Sequence, residues 1–146
     1  MADKLIYGEE ERLLPWAAER IGVDGFKRDA YSIGLERNDV IVAVCVYENF
    51  SKFDCSMHCA SDGSKRWMSK AFLLAAFAYP FTQLGMRRIS TFVPAKNKLV
   101  LEFDRHIGWV QEGVCRKCIA GDGDMIILGM LREECRFIEQ GVSNGQ

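Results

Sequence analysis

Residues 81–113 read FTQLGMRRISTFVPAKNKLVLEFDRHIGWVQEG, and this stretch decides the fold. Its apolar residues predict a strand over 88–93. Asn97 is a favoured N-cap, because its side-chain oxygen accepts a hydrogen bond from the first turn of a helix. Gly108 is a favoured stop for that helix, and a second strand is predicted over 109–118. A strand, a helix and a strand in this order predict a β-α-β crossover.

The sequence on either side of this stretch adds further elements. We predict strands over 31–35, 40–47, 53–59 and 125–131, and helices over 9–21, 67–84 and 131–138. The run VIVAVCVY over 40–47 is apolar on both faces, which indicates a central strand that is covered on both sides. Pro80 is expected to kink the long apolar helix or to end its last turn. Glu112-Gly113 is expected to form a bulge in the 109–118 strand.

These elements describe one α/β (α+β) domain over 1–146. We predict a mixed, mostly antiparallel twisted sheet of about six to seven strands, with about four helices distributed over both faces. Residues 141–146 are expected to form a frayed tail.

Composition and charge limit the class of partner. The chain has 146 residues, of which 49% are hydrophobic and 27% charged, as in an ordinary globular domain. Lys and Arg number 19 against 20 Asp and Glu, so the basic surplus typical of a nucleic-acid binder is missing. No apolar run reaches the length of a membrane span, and the N-terminus does not resemble a secretory signal. We therefore predict a cytoplasmic protein with no membrane or nucleic-acid partner.

Six cysteines are expected to be reduced in that compartment. Cys115 and Cys118 have a C-x-x-C spacing, and Cys55, His58 and Cys59 form a second small cluster. Both groups lie in predicted strands, where residues three apart face opposite sides of the sheet. We therefore predict that the protein holds no metal.

Several short pieces of the second half, in this order and with these gaps, resemble the GNAT superfamily of N-acetyltransferases. They are Leu84-Gly85, Arg88-Ile89, Val93, Asn97, Ile107-Gly108-Trp109, Glu112-Gly113 and Arg116. The branch that they resemble most acetylates the N-termini of ribosomal proteins. Three further pieces are similar to small members that are common in bacteriophage genomes: the helix start at Trp67, Tyr79-Pro80-Phe81 and the residues 130–135.

The resemblance implies an enzyme that transfers an acetyl group from acetyl-CoA directly to a primary amine. The amine belongs to a protein N-terminus, a lysine or a small molecule. A homodimer or another protein partner is compatible with this reading. The alternative is a catalytically degenerate GNAT-fold protein that acts as a binding or structural component, such as one of a phage particle (and then virion-associated) or of a phage-host interaction.

The resemblance also implies where acetyl-CoA binds. Backbone N–H groups at the start of the 67–84 helix would hold the pyrophosphate, because a helix N-terminus attracts anions. The pantetheine arm would lie along the strand edge near Met57 and Cys59 as an added strand. The implied cofactor-binding residues are Met57, Cys59, Ser61, Gly63, Ser64, Lys65, Arg66, Trp67 and Asn97. The loop has one glycine, Gly63, where the family has Gly-x-Gly or Gly-x-Ala, and this difference favours the alternative.

Two residues are candidates for the general base. His58 lies on the polar side of its strand and has a pKa suited to proton transfer near neutral pH. Glu48 follows the apolar run over 40–47 and is the second candidate. For each of them, an ordinary hydrogen-bonded strand residue is the competing interpretation. Many family members have a Tyr that acts as general acid in the helix after Asn97, and here Asp104 stands at that place, so the role is not transferred.

Overall fold

The computed structural model describes residues 3–64 and 69–140. Its seven strands are β1 (Asp3–Tyr7), β2 (Tyr31–Arg37), β3 (Val40–Glu48), β4 (Asp54–Ser61), β5 (Arg88–Pro94), β6 (Val110–Ile119) and β7 (Gly123–Leu131). Its α-helices are α1 (Glu10–Ile21), α2 (Lys70–Ala78) and α3 (Lys98–Ile107). A π-helical turn, Tyr79–Gln83, follows α2, and the 3-10 turns Ala120–Asp122 and Arg132–Glu134 flank β7.

All seven strands form one sheet in the order β1-β2-β3-β4-β5-β7-β6. β4 and β5 are parallel, and the other neighbouring strands are antiparallel. The helix α1 packs on one face through Leu13 and Ala17. The helices α2 and α3 pack on the other face, where Phe72 and Leu101 belong to the larger core. The predicted fold class, a mixed and mostly antiparallel sheet with helices on both faces, is confirmed.

The structure differs from the prediction at both ends of the chain. The five-residue strand β1 was not predicted, because only Ile6 is buried in this edge strand and no alternating pattern is visible. The closing helix over 131–138 is a single 3-10 turn at Arg132–Glu134, and so the described residues contain three α-helices instead of about four. The predicted tail over 141–146 lies outside the described residues.

The apolar helix ends where the sequence predicts a break. Pro80 has no N–H to donate into the helix, and the backbone continues from Ala78 into the π-helical turn, with the Leu84 N–H bonded to the Tyr79 carbonyl at 3.0 Å. At the other end of α2, the Ser69 hydroxyl accepts the Phe72 N–H. The predicted start at Trp67 lies outside the described residues.

The β-α-β crossover has the predicted caps. The Asn97 side chain accepts a hydrogen bond from the Val100 N–H, and α3 begins at the next residue. Gly108 ends the helix with a φ of 120°, in the left-handed region that favours glycine. The register of β6 against β7 shifts between Gln111 and Gly113, which confirms the predicted bulge.

The two halves of the sheet are joined by a short parallel ladder. β4 and β5 pair through three residues each, in the register Asp54↔Arg88, Cys55↔Ile89 and Ser56↔Ser90. Both strands continue beyond these pairs, to Ser61 and to Pro94. From Met57 onwards, no ladder between the described parts of the two strands is formed. The sheet therefore opens into a gap beside the second half of β4.

No helix in the described ranges 3–64 and 69–140 is both long and apolar enough to cross a membrane.

Candidate active site

A cavity of about 340 Å³ lies at the gap between β4 and β5. Its walls come from the two parted strands, from the apolar sides of α2 and α3, and from the end of α1. The lining residues of the strands are Met57, His58, Cys59, Ala60 and Ser61 of β4 and Thr91, Phe92, Val93 and Pro94 of β5. Those of the helices include Arg20, Ile21, Leu73, Phe77, Val100, Phe103 and Asp104. The gap thus connects the two faces of the sheet.

From Met57 onwards, the β5-facing edge of β4 has no ladder partner among the described strands, and this edge borders the cavity. Met57 and Cys59 both line it, as the predicted path of an added strand requires. The Met57 side chain is buried in the core on the α2 face, whereas the Cys59 side chain is exposed. Any contact that these residues make to a ligand therefore runs through the β4 backbone and the Cys59 thiol.

The loop after β4 makes its own hydrogen bonds. The Ser61 hydroxyl accepts the Gly63 N–H at 3.2 Å, and the Asp62 carboxylate accepts the Ser64 N–H at 2.9 Å. The Ser64 hydroxyl also donates to Asp62, and these bonds hold the pKa of Asp62 below its usual value. The backbone donors predicted to hold phosphate at Gly63 and Ser64 are thus bonded to side chains of the same loop.

The remaining predicted cofactor residues have different outcomes. Lys65, Arg66 and Trp67 lie outside the described residues. Asn97 lines the cavity, but its side-chain oxygen caps α3. Its role in cofactor binding stays a prediction, as do those of Ser61, Gly63 and Ser64.

His58 and Glu48, predicted separately, form a pair in the structure. The His58 Nε2 lies 3.6 Å from the Glu48 Oε2, and their side chains are only 18% and 14% exposed. Glu48 of β3 lies opposite Ser56 of β4, and His58 is two residues further along β4 on the same face. The antiparallel pairing of β3 and β4 therefore brings the Glu48 and His58 side chains together. The other Glu48 oxygen accepts the Lys27 N–H at 3.0 Å. The carboxylate is therefore held in place beside the imidazole.

The pair has the electrostatics of a proton acceptor. Burial lowers the pKa of His58, and the Glu48 carboxylate opposes that shift. Since the net direction is downward from 6.5, the imidazole is mostly neutral at pH 7. A neutral imidazole in the cavity wall can accept a proton there. Phe92 of β5 lies beside it, with the ring centres 6.3 Å apart.

Asp104 is a cavity residue to which the sequence analysis gave no role. It lies on α3 between the buried residues Leu101 and Ile107, on the apolar side of the helix. Burial raises the pKa of its carboxyl group to about 7. A carboxylate on the apolar side of an amphipathic helix was the sequence signal that could have identified it.

In residues 3–64 and 69–140, no three His, Cys, Asp or Glu side chains are grouped so that they could hold a metal ion. Cys45 and Cys59 are free thiols opposite each other in β3 and β4.

Neither a family model nor a curated protein sequence matches the chain. Solved structures do match. The N152L mutant of the spermidine N-acetyltransferase SpeG from Vibrio cholerae superposes with a TM-score of 0.74 over 95% of this chain and 98% of its own, at 12% identity. A structure described as a phosphinothricin N-acetyltransferase gives 0.65 over 89% and 98%, at 20% identity.

The chain has the GNAT fold. A chimera of SpeG with hSSAT also matches it, with a TM-score of 0.72, 13% identity, and coverage of 91% of this chain and 98% of the chimera. The resemblance seen in the sequence is thereby supported at the level of the fold. The ribosomal-protein and bacteriophage branches of the GNAT superfamily stay predictions.

Proposed function

We propose that the protein is an acetyl-CoA-dependent N-acetyltransferase that moves the acetyl group directly to a primary amine. The observation that carries the proposal is His58 in the wall of the cavity between β4 and β5, with the Glu48 carboxylate 3.6 Å from its Nε2. A buried imidazole, mostly neutral at pH 7 and held beside a carboxylate, is suited to deprotonate an amine. The GNAT fold of the chain supports the choice of reaction class.

The β4 edge is suited to hold the thioester. A pantetheine arm contains amide groups, and these can pair with the free backbone of β4 as an added strand does. A backbone N–H in the gap can then donate to the thioester carbonyl oxygen, on which negative charge develops during the attack. When bound, acetyl-CoA supplies the activated acetyl group, and the chain supplies position, a hydrogen-bond donor and a base.

His58 receives the proton of the attacking amine in this proposal. Its side chain lies on the same face of β4 as Ala60, which packs in the core beneath α1. The amine therefore approaches from the α1 face, past Phe92, Arg20 and Ile21. Glu48 acts as a positioning residue, because its charge favours the imidazolium that forms.

The acceptor is a protein N-terminus, a lysine or a small amine. Solved structures of this fold include enzymes named for spermidine and for phosphinothricin, which are small amines. We also propose a cytoplasmic location and retain the homodimer as a possible assembly. β1 and β6 are the edge strands of the sheet, and strand edges are common sites of pairing between subunits.

One observation favours a second candidate, a GNAT-fold protein without turnover that binds a partner, as in a phage particle. The Asp62 carboxylate accepts hydrogen bonds from the N–H and the hydroxyl of Ser64. It also places a negative charge in the loop where phosphate is expected. Phosphate binding would have to displace these bonds.

Calorimetric titration with acetyl-CoA tests the proposal. We expect a micromolar Kd, and weaker binding by Lys65→Ala/Arg66→Ala, because two cations are removed at the predicted pyrophosphate site. Lys4→Ala/Arg116→Ala is the matched control, since it removes the same charge from exposed strand positions. Turnover is then measured with spermidine, phosphinothricin, lysine and a tripeptide with a free N-terminus. A folded protein that does not bind acetyl-CoA at millimolar concentration contradicts the proposal and favours the second candidate.

A further inference from the structure

We infer that Cys59 and Cys45 form a reactive thiol pair, which exchanges with the disulfide of a small thiol that enters the cavity. Cys59 forms the first bond to the small thiol, and Cys45 then displaces it by closing a cross-strand disulfide. This chemistry is separate from acetyl transfer and does not depend on the proposed function.

The register of the sheet places the two cysteines side by side. Cys45 of β3 lies directly opposite Cys59 of β4 in the antiparallel ladder. Residues opposite each other in such a ladder have Cα atoms about 4.5–5.5 Å apart and side chains on the same face. A disulfide requires Cα atoms about 4.4–6.8 Å apart. The two strands can therefore hold a disulfide at this position without a change of register.

The two thiols already interact in the reduced protein, but they differ in access. Burial and a hydrogen bond with Cys59 raise the pKa of the Cys45 thiol well above its usual value. Cys45 is only 1% exposed, whereas Cys59 is exposed. Since exchange begins with a thiolate that can reach the disulfide, Cys59 reacts first. Cys45 keeps its proton until its neighbour has been modified.

The cavity gives this pair a reagent that the other thiols of the chain do not meet there. Both cysteines of the pair line the cavity between β4 and β5, and its volume of about 340 Å³ has room for a small disulfide. The other four thiols lie elsewhere. Cys55 and Cys135 are buried, and Cys115 and Cys118 belong to β6.

The exchange balances in two steps. In the first, the Cys59 sulfur bonds to one sulfur of the small disulfide, whose sulfur–sulfur bond breaks and releases one small thiol. In the second, the Cys45 sulfur bonds to the Cys59 sulfur and releases the other small thiol. The two protons lost by the cysteines pass through water to the two released thiols. The cysteine pair is oxidised, and the small disulfide is the oxidant that is reduced.

Mass spectrometry of the intact, folded protein tests the inference, with hydroxyethyl disulfide as a small, neutral probe. The background is the full chain with Cys115→Ser/Cys118→Ser, which leaves Cys59 as the only cysteine that is not buried. We expect this protein to lose the mass of two hydrogen atoms and to carry no adduct. Alkylation after unfolding should find the corresponding pair of thiols missing. Dithiothreitol should reverse both changes.

Substitutions in this background separate the roles of the two cysteines. Cys45→Ala should stop at the mixed disulfide, which appears as one stable hydroxyethylthio adduct. Cys59→Ser should give neither an adduct nor a disulfide, because the accessible thiol is gone. Cys55→Ala is the matched control, since it replaces a buried cysteine of β4 and should react as the background does. If Cys45→Ala does not fold, the background protein and Cys59→Ser still decide the question.

Several results would overturn the inference. They are a background protein that does not react, one that keeps a stable adduct, and a Cys59→Ser variant that still forms a disulfide.

A titration with acetyl-CoA separates this inference from the proposed function. The Cys45→Ala adduct should bind acetyl-CoA at least about tenfold more weakly than the same variant after reduction, because the adduct takes up space in the cavity. An equal Kd for the two forms overturns the assignment of the exchange to the cavity. Reduced protein that does not bind acetyl-CoA overturns the proposed function alone, because the mass measurements decide the exchange.

Discussion

At the scale of single residues, burial and neighbouring charges set the protonation of the titratable groups in the site. His58 is pushed towards neutrality by burial and towards its charged form by Glu48. Asp104 is pushed towards neutrality by burial with no described cation to counter it. The same physical cause, loss of water, thus prepares one group to accept a proton and the other to keep one.

Glu48→Gln should change the pH dependence of the reaction. The Glu48 carboxylate raises the pKa of His58, so its removal should lower that pKa further. The acid limb of the kcat profile should therefore move to lower pH, and kcat at pH 7 should fall about tenfold as the imidazole becomes a weaker base. Steady-state profiles with NMR titration of His58 measure both effects. Glu19→Gln, on the exposed side of α1, is the control, and an unmoved acid limb would rule out the pairing.

Asp104→Asn should stabilise the fold at alkaline pH. The pKa of Asp104 rises from 3.8 to about 7 on folding, so the folded protein binds more protons than the unfolded chain. Stability therefore falls as pH rises between these two values and stays low above the second. Allowing for partial exposure, we expect Asp104→Asn to gain about 2 kcal/mol at pH 8 and much less at pH 5. Urea unfolding at both pH values measures this, and an equal difference at both would contradict it.

At the scale of elements, the contact of α1 with the sheet depends on one glycine. A Cβ at Gly34 of β2 would lie 2.8 Å from the Cδ2 of Leu13, which is fully buried. Gly34→Ala should therefore lower the free energy of unfolding by about 1–2 kcal/mol, since the fully buried Leu13 side chain, or α1 with it, must shift to make room. Gly25→Ala is the matched control, because nothing lies within 4 Å of a Cβ there. Chemical denaturation of both variants gives the comparison, and equal losses would refute this account of the contact.

The helices and strands that could be predicted from the sequence are those with local signals. The helix α3 and the strands β5 to β7 were predicted because caps, glycines and apolar spacing are local signals. β1 was missed because an edge strand of five residues buries too little to leave a pattern. The 131–138 segment looked helical, but Cys135 and Phe137 are drawn into the core as an irregular segment. Tertiary packing, which a local pattern does not contain, decided that segment.

The candidate site was predictable only in part. His58 and Glu48 were each identified from their strand positions, but their pairing depends on the register of β3 against β4. Asp104 received no role because its chemistry differs from the family pattern. That Asp104 belongs to the site is visible only from the cavity that it lines, and this cavity forms only when α3 packs beside the gap.

At the scale of the whole molecule, the sheet is two ladders, β1 to β4 and β5 to β7, joined by three residue pairs. Backbone hydrogen bonding between the two halves is therefore weakest at the position where the cavity opens. A ligand lying along β4 would supply backbone hydrogen bonds that β4 and β5 do not form with each other there. The force needed to pull the two half-sheets apart should then be higher when a ligand is bound. Ligand binding would therefore change the mechanical stability of the domain.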